Sequence, residues 1–361
     1  MADKTSWSWD EMTEEFRRLG GVVENLRPGT SGNGSAETGG DAKPAGPGLY
    51  AVDPSKEVRL YVPPKLLVPA DEVRLENGRL VLAAETSVEP AVRDFFERFQ
   101  AQFGFGSGAG ARCRRFFDEL ASLPDNVKQH IGPALPPELA AFKAPDDRTL
   151  LLRYLRGRAV AFGGKPVMPM VAELLNHGAE QPFFELSQGL RHSGKFAGEV
   201  LTRYGGGDAW DAFITLGIAT LQVPAFSLPM ELRSKNGKSL FIGRRFEASE
   251  MLDNVLVPRI ERREEGFVLA HALLGHRLVP GLPRAAFRRT MRDRDIGDAD
   301  ESFELLSHLN RIWFLDLLGM LDGRTGTLER TMRAAALCQL TSLSHAIGSA
   351  ARGEGTASRP N

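Results

Sequence analysis

The sequence predicts an α+β fold class, with strands at both ends of its first two-thirds and helices in the middle and at the C-terminus. Alternating apolar residues flank the Asn77-Gly78 dipeptide, a pattern typical of a two-residue hairpin. Between about residues 90 and 161, apolar residues recur at helical spacing instead. After this helical stretch the alternation of apolar and polar residues, typical of strands, returns briefly, and it is absent beyond residue 246. We therefore expect a mixed region at 1–246, which contains the helical insert, and an all-helical domain at 247–351.

The N-terminal elements follow from local patterns. Ser8 and Glu11 have capping-box spacing, which predicts a short amphipathic helix that ends at Gly20-Gly21. Residues 28–48 are rich in Gly, Ser, Ala and Pro, and are too polar to pack, so a mobile loop is expected there. The last residues, 352–361, are expected to be disordered.

Composition restricts the class of protein. The chain has 361 residues, of which 42% are hydrophobic, enough for real cores in one large or two medium domains. Its net charge of −1 gives no long-range attraction to nucleic acid or anionic membranes. Cys113 and Cys338 are far apart and match no zinc spacing. Without a signal peptide or a long apolar run, we expect a cytoplasmic protein with no membrane or nucleic-acid partner. The oligomeric state stays open.

Asn176 and His177 follow the apolar pair Leu174-Leu175. Two strong hydrogen-bonding side chains in that place are unusual, because a buried segment normally stays apolar. A functional site is one explanation. The alternative is a helix C-cap, since Asn176 and Gly178 adopt the left-handed conformation readily and His177 could bind the last carbonyls.

Tyr204 lies four residues after Gly198-Glu199-Val200 and just before a glycine. This arrangement predicts a single phenol at the end of a strand, ahead of a flexible turn. The alternative is an ordinary tyrosine whose hydroxyl faces solvent. A third segment, Gly46 to Ala51, contains two glycines that would allow the backbone to approach a ligand closely. These glycines could equally end the mobile loop.

Taken in this order, the three segments resemble those of SET-domain methyltransferases, most of all the branch typified by the Rubisco large-subunit lysine methyltransferases. The resemblance implies a SET-domain β-fold of small sheets with a knot-like core, a helical insert at about 90–161 and a helical substrate-binding domain. It also implies S-adenosylmethionine as cofactor and methyl transfer to a protein lysine. The helical domain after residue 246 would dock the protein substrate.

The resemblance also implies roles for individual residues. The backbone of the first segment would lie against the methionine part of the cofactor, through Gly46, Gly48, Leu49 and Tyr50. Asn176 and His177 would hold its amino-acid end. Arg158 stands where family members often have an arginine near the cofactor carboxylate, although a helix-surface arginine is the alternative. Tyr204 would be the catalytic residue, directing its hydroxyl toward the transferring methyl group and the lysine nitrogen. No metal ligand is expected.

Two departures from the family pattern keep other functions open. The family usually has Tyr-Gly-Phe where this chain has Leu216-Gly217-Ile218, and Asp where it has Glu173. The changed aromatic would widen or reshape the acceptor channel, so a histidine acceptor stays possible. The competing hypothesis is a non-catalytic SET-like protein-interaction module.

Overall fold

The computed structural model describes residues 6–30, 47–178, 180–205, 207–233, 237–245, 248–252, 255–292, 294 and 297–348. Several predictions concern residues outside these ranges: Gly46, most of the loop expected at 28–48, and the tail at 352–361. Residues 28–30 and 47–48 of that expected loop belong to paired strands, so the loop prediction is wrong at its two ends.

The chain divides into two compact units, which are described separately. The first unit comprises Met1–Ser122 and Lys143–Gly205, and the second Leu123–Phe142 and Gly206–Asn361. The division therefore falls at Gly205, whereas the sequence led us to expect it near residue 246. Part of the helical insert and the strands after Gly206 belong to the second unit.

The α-helices, numbered in chain order, occur mostly in groups that are separated by runs of strands. They are α1 (Trp9–Arg18), α2 (Pro90–Gln102), α3 (Ala109–Ala121), α4 (Asp125–Ile131), α5 (Pro137–Ala140), α6 (Asp147–Arg156), α7 (Ala209–Leu216), α8 (Leu282–Met291), α9 (Ala299–Met320) and α10 (Thr327–Gly348).

The strands are mostly short. Those of the first unit are β1 (Val22–Glu24), β2 (Leu26–Thr30), β3 (Pro47–Ala51), β4 (Val58–Val62), β5 (Leu67–Pro69), β6 (Val73–Glu76), β7 (Arg79–Leu82), β8 (Val160–Phe162), β9 (Lys165–Pro169), β10 (Asn176–His177), β11 (Leu190–Gly194) and β12 (Leu201–Thr202). Those of the second are β13 (Pro224–Phe226), β14 (Met230–Arg233), β15 (Ser239–Ile242), β16 (Ala248–Leu252), β17 (Val255–Pro258), β18 (Ile260–Arg263), β19 (Gly266–Leu269) and β20 (Leu273–His276).

The first unit consists of several small sheets. Strand β4 lies between β1 and β11, strand β9 between β5 and β8, and β2 pairs with β3. Strands β6 and β7 form the predicted hairpin, in which Asn77 and Gly78 have φ of 50° and 76°. Positive φ at both turn residues gives the twist that a two-residue hairpin needs. The mixed strand and helix content of the α+β prediction is confirmed.

Local patterns also predict the helices of the first unit well. Both hydrogen bonds of the capping box form in α1: Glu11 N donates to Ser8 Oγ at 3.2 Å, and Ser8 N donates to Glu11 Oε2 at 2.7 Å. The apolar face of α2 is buried, and the rings of Phe95 and Phe99 stack 6.1 Å apart. These helices cover the small sheets and exclude water from the core.

The prediction of an all-helical domain from residue 247 is wrong over its first part. Residues 248–276 form β16 to β20, and helices begin only at Leu282. Strand β19 lies between β15 and β18, and its pairing with β15 is parallel. A side chain at Gly266 would collide with the backbone of Ser239, so the glycine permits this close pairing. The β-branched residues of this segment favour strands, and helical spacing concealed that preference.

From Leu282 onward the predicted helices are confirmed as α8, α9 and α10. In the second unit, the buried Trp210 ring of α7 lies 5.4 Å from Trp313 and 5.6 Å from Phe314 of α9. No helix in the described part of the chain has the length and apolar character needed to cross a bilayer.

Candidate functional site

The two segments singled out in the sequence lie side by side in the first unit. Strand β10 pairs in parallel with β12, so that Asn176 is opposite Leu201 and His177 is opposite Thr202. Gly178 N continues the ladder by donating to Thr202 O at 3.0 Å. Asn176 and His177 therefore belong to a strand and do not cap a helix. The knot-like crossing that the resemblance implies stays a prediction.

His177 positions the backbone of Tyr204. Tyr204 N donates to His177 Nδ1 at 3.0 Å, and the two rings lie 5.5 Å apart. Burial lowers the pKa of His177 to about 4, and the charge of Arg203 adds to this effect. The imidazole is therefore neutral at neutral pH, with its Nδ1 lone pair available as the acceptor.

The hydroxyl of the half-buried Tyr204 is hydrogen-bonded to the backbone of the protein. It donates a hydrogen bond to the carbonyl oxygen of Leu175. Burial raises the pKa of the phenol to about 12, against the opposing charge of Arg158. The carboxylates of Glu173 and Glu199 add to the rise. The phenol therefore stays protonated, and the alternative of a solvent-facing tyrosine is wrong.

Gly48 lies directly beneath a pair of polar side chains. Asn176 Nδ2 donates to Glu199 Oε1 at 2.6 Å. A Cβ at Gly48 would lie 2.7 Å from each of these two atoms, so a larger residue would require these side chains to move. The glycine thus leaves the Asn176–Glu199 hydrogen bond undisturbed. Glu199 was not predicted as a site residue, although its segment was singled out.

The neighbouring residues of β3 attach to the same segment through their backbone. Val200 N donates to Leu49 O at 2.8 Å, and Ala51 N donates to Gly198 O at 2.9 Å. The Leu49 side chain is fully buried in the core, so Leu49 can serve a ligand only through its backbone. Tyr50 pairs with Glu199 as an isolated antiparallel bridge.

Arg158 follows α6 and is half-buried, so it is not an exposed helix-surface residue. Its guanidinium carbon lies 4.5 Å from the centroid of the Tyr154 ring. Burial would lower the pKa of Arg158, but the groups of Tyr154, Glu173 and Tyr204 outweigh burial and raise it. Among the described residues no carboxylate forms an ion pair with Arg158. A positive charge near Tyr204 is therefore available to an anionic group.

A buried polar cluster near Tyr204 was missed by sequence reasoning. Glu173 Oε1 accepts a hydrogen bond from Gln100 Nε2 at 2.7 Å, and the Tyr154 hydroxyl lies 3.4 Å away. Burial raises the pKa of Glu173 to about 7, while Arg158, Gln100 and Tyr154 limit the rise. The visible indication was Gln100 itself, a polar residue on the phenylalanine-rich face of α2.

The structure thus brings together Gly48, Asn176, His177, Tyr204 and, through its charge, Arg158. Leu49 and Tyr50 adjoin them by backbone pairing, and Gly46 lies outside the described residues. Leu216-Gly217-Ile218 belongs to the second unit, where Leu216 ends α7. No group of three or more His, Cys, Asp or Glu side chains is arranged for a metal ion within the described ranges.

This arrangement can recognise a zwitterionic group. Arg158 offers a cation, the Asn176–Glu199 pair offers an amide and a carboxylate, and the Tyr204 phenol offers a neutral oxygen with lone pairs. Apart from Arg158, these groups lie between Asn176 and Tyr204, in or beside strands β10 and β12.

Comparisons with known proteins give only distant similarity. No protein-family model and no curated protein matches the sequence. Among solved structures the chain is similar to the SET domain of LSMT bound to lysine and AdoHcy, with 15% identity, a TM-score of 0.41, and coverage of 94% of this chain and 90% of that chain. It is also similar to Rubisco LSMT bound to AdoMet, with 14% identity, a TM-score of 0.42, and coverage of 97% and 92%. At these values, function has to be inferred from the site's own geometry.

Proposed function

We propose that this protein is an S-adenosylmethionine-dependent protein methyltransferase that modifies a lysine side chain. The observation that carries the proposal is the double anchoring of Tyr204. Its backbone is held by His177 and its hydroxyl by the carbonyl of Leu175. A tyrosine that is held at both its backbone N–H and its hydroxyl, beside a half-buried arginine, is suited to positioning reacting atoms.

The residues present fit the cofactor. The amino-acid end of S-adenosylmethionine carries a carboxylate and an ammonium group, and the site offers a cation at Arg158 and a carboxylate at Glu199. We assign the carboxylate to Arg158 and the rest of this end to Asn176 and His177. The backbone of β3 from Gly48 to Tyr50 would line the methionine part. When bound, this cofactor supplies an electrophilic methyl group on a sulfonium.

The chain's own residues would contribute positioning and a low-polarity environment. Tyr204 stays protonated, donates to Leu175 O, and keeps oxygen lone pairs that can orient an electron-poor group. The acceptor lysine must lose its proton, since its unperturbed pKa is about 10.4. Apolar surroundings disfavour the ammonium form and so lower that pKa. A histidine acceptor remains the sub-hypothesis, because Ile218 replaces the family's aromatic residue.

We also propose that the substrate is a protein docked by the helices after Leu282. Helix α9 exposes Leu305, Leu309, Ile312 and Leu315, whose exposed fractions are 45%, 36%, 40% and 54%. Spacings of three and four residues put them on one side of the helix. A stripe of this kind on a single helix indicates a contact surface. Leu309→Asp should weaken substrate methylation while S-adenosylmethionine affinity stays unchanged.

The test is calorimetric titration with S-adenosylmethionine, followed by labelled-methyl transfer to proteins of a cell lysate. We expect binding by the wild type, its loss in Asn176→Ala, and binding without turnover in Tyr204→Phe. Tyr61→Phe is the matched control, because the Tyr61 hydroxyl also donates to a backbone carbonyl, that of Gln188, at 2.8 Å. Equal turnover by Tyr204→Phe and Tyr61→Phe would reject the role of Tyr204.

The alternative is a non-catalytic protein-interaction module. The replacement of the family's Tyr-Gly-Phe by Leu216-Gly217-Ile218 favours it. The titration separates the two hypotheses, because a module that has lost catalysis has no requirement for S-adenosylmethionine. Absence of binding by the wild type would select the module.

A further inference from the structure

The backbone at Val171 has a conformation that valine rarely adopts. Its φ is 68° and its ψ is −48°, and Ala172 N donates across it to Met170 O at 2.8 Å. These features define a γ-turn of the positive-φ form, which is rare and strained. A β-branched residue at positive φ is a genuine outlier. Such strain persists only where the surroundings impose it, and it concentrates at functional sites.

This γ-turn leads directly into the candidate site. It is followed by the 3-10 turn Ala172–Leu174, closed by hydrogen bonds from Leu174 N to Val171 O and from Leu175 N to Ala172 O, each at 3.1 Å. The next carbonyl, that of Leu175, is the one that accepts the Tyr204 hydroxyl. The direction of this carbonyl therefore depends on how the two turns are held.

Glu173 is the polar anchor of these turns. Its side chain is 5% exposed and lies between two helices. Gln100 of α2 donates to its Oε1 at 2.7 Å, and the hydroxyl of Tyr154 of α6 lies 3.4 Å from the same oxygen. The second oxygen, Oε2, finds no hydrogen-bond partner within the part of the chain that the structure describes. A buried carboxyl with one unpartnered oxygen is destabilising, so packing alone does not explain it.

The partners of Glu173 are themselves fixed. Gln100 Oε1 accepts from the Tyr154 hydroxyl at 2.9 Å and from Phe105 N at 3.1 Å. A Cβ at Gly104 would lie 2.8 Å from Glu173 Oε1 and closer still to Gln100 Oε1, so a larger residue there would displace both side chains. Gln100 and Tyr154 therefore hold the Glu173 side chain from one side of the turn through mutually bonded groups.

We propose that Glu173 is a positioning residue: held by Gln100 and Tyr154, it keeps the γ-turn at Val171 in place and so aims the Leu175 carbonyl at the Tyr204 hydroxyl. The proposal deepens the proposed function, because the importance of this aim for methyl transfer depends on the role of Tyr204. The coupling of Glu173 to Tyr204 can be measured without any methyl transfer.

Protonation of Glu173 should alter this coupling near neutral pH. Burial raises the pKa of the carboxyl to about 7, so its charge changes in this range. The titratable and charged groups that face it are Tyr154, Arg158 and Tyr204, with Cys113 behind Tyr154. Of these, both phenols have pKa values raised well away from neutrality, and Arg158 stays charged. Among Tyr154, Arg158, Glu173 and Tyr204, Glu173 is therefore the group whose charge changes near pH 7.

The test is NMR of protein labelled with carbon-13 at the Cζ atom of its tyrosines. The chain has four tyrosines, so the resonances of Tyr154 and Tyr204 can be assigned with Tyr→Phe variants. In the wild type we expect both resonances to shift across neutral pH with one common midpoint. Glu173→Gln should abolish both shifts, whereas the exposed Glu76→Gln should abolish neither. A Tyr154 resonance that titrates while that of Tyr204 stays still would overturn the proposal.

A second experiment removes the Glu173 carboxyl group. Glu173→Ala should move the Tyr204 resonance at constant pH, and Glu173→Gln, which keeps an acceptor for Gln100, should restore most of it. In a methyl-transfer assay Glu173→Ala should lower kcat by about tenfold to a hundredfold with a smaller change in cofactor KM. If Glu173→Ala does not fold, the titration of Glu173→Gln decides alone. Coupled resonances in a protein without methyl transfer would reject the proposed function and retain the coupling.

Discussion

Two buried carboxyl groups, one in each unit, differ in how many of their oxygens accept hydrogen bonds. Each oxygen of Asp208 in the second unit accepts two hydrogen bonds, from Asp211 N at 2.9 Å and Arg244 Nη2 at 2.7 Å, and from Phe226 N at 2.8 Å and Gln339 Nε2 at 2.6 Å. Glu173 in the first unit is also buried, but its Oε2 has no hydrogen-bond partner among the described residues. The chain thus surrounds one carboxylate completely and leaves the other incomplete.

The pKa values follow these surroundings. Burial alone would raise the pKa of Asp208, but the charge of Arg244 and the hydrogen bonds lower it. Burial raises the pKa of Glu173 to about 7, because its partners compensate less. A carboxylate with partners on both oxygens next to relaxed backbone indicates a structural role. An incomplete one beside a strained turn indicates a functional role.

The largest effect is expected from Arg244→Met. Its guanidinium bonds both Asp208 and Asp211 at 2.7 Å, and its side chain is 9% exposed. Removing it leaves the buried Asp208 and the half-buried Asp211 without their cation, which should lower the free energy of unfolding by about 3–5 kcal/mol. Denaturant unfolding measures this loss. Arg233→Met is the control, since the exposed Arg233–Glu231 pair should contribute little. Equal losses would contradict a structural role for the Asp208 network.

The second-largest effect is expected from Glu173→Gln, which should change how the free energy of unfolding depends on pH. The pKa of Glu173 is raised in the folded state from 4.5 to about 7, so the unfolded chain releases this proton first. The free energy of unfolding should therefore fall as pH rises through this window, by about 3 kcal/mol for this residue. Glu173→Gln should remove that decline.

Denaturant unfolding of both proteins at several pH values gives the difference. Asp211 of the second unit also has a pKa raised to about 7, chiefly by burial, and it is present in both proteins. Its contribution therefore cancels. Parallel stability curves for the wild type and Glu173→Gln would contradict the raised pKa of Glu173.

The contribution of His177 to the pH dependence of stability should have the opposite sign to that of Glu173 and a smaller size. Its pKa falls from 6.5 to about 4 on folding, so the unfolded state binds the proton first. Stability should be lost as pH falls below 6.5, and His177→Gln should reduce this loss. The half-buried imidazole limits the magnitude. A variant that loses stability below neutral pH as steeply as the wild type would contradict this assignment.

The smallest stability effect is expected from Tyr204→Phe. The variant removes one neutral hydrogen bond, to Leu175 O, which corresponds to about 1 kcal/mol. Thermal unfolding should therefore change little, although turnover should be lost. A loss of stability as large as that of Arg244→Met would place Tyr204 in the structural framework instead.

Features whose partners are close in sequence were predicted correctly. The Ser8–Glu11 capping box and the Asn77-Gly78 turn each need hydrogen bonds and dihedral angles within a few residues. The helices after Leu282 have the same local origin. Residues 248–276 were predicted wrongly, because strand β19 pairs with β15 some 27 residues earlier, at Ser239↔Gly266, and no local pattern encodes that partner.

The candidate site shows the same contrast between features set by nearby residues and features set by residues distant in the chain. Asn176, His177 and Tyr204 stand out in the sequence because strong hydrogen-bonding side chains follow apolar runs, and their spacing let a resemblance be recognised. The cluster around Glu173 needs Gln100, which is 73 residues away in the chain. Its unpartnered oxygen and the γ-turn at Val171 appear only in three dimensions. The sequence by itself thus determined the local elements and the principal polar residues. Tertiary structure decided strand partners and pKa values, because both depend on groups that folding brings together from distant parts of the chain.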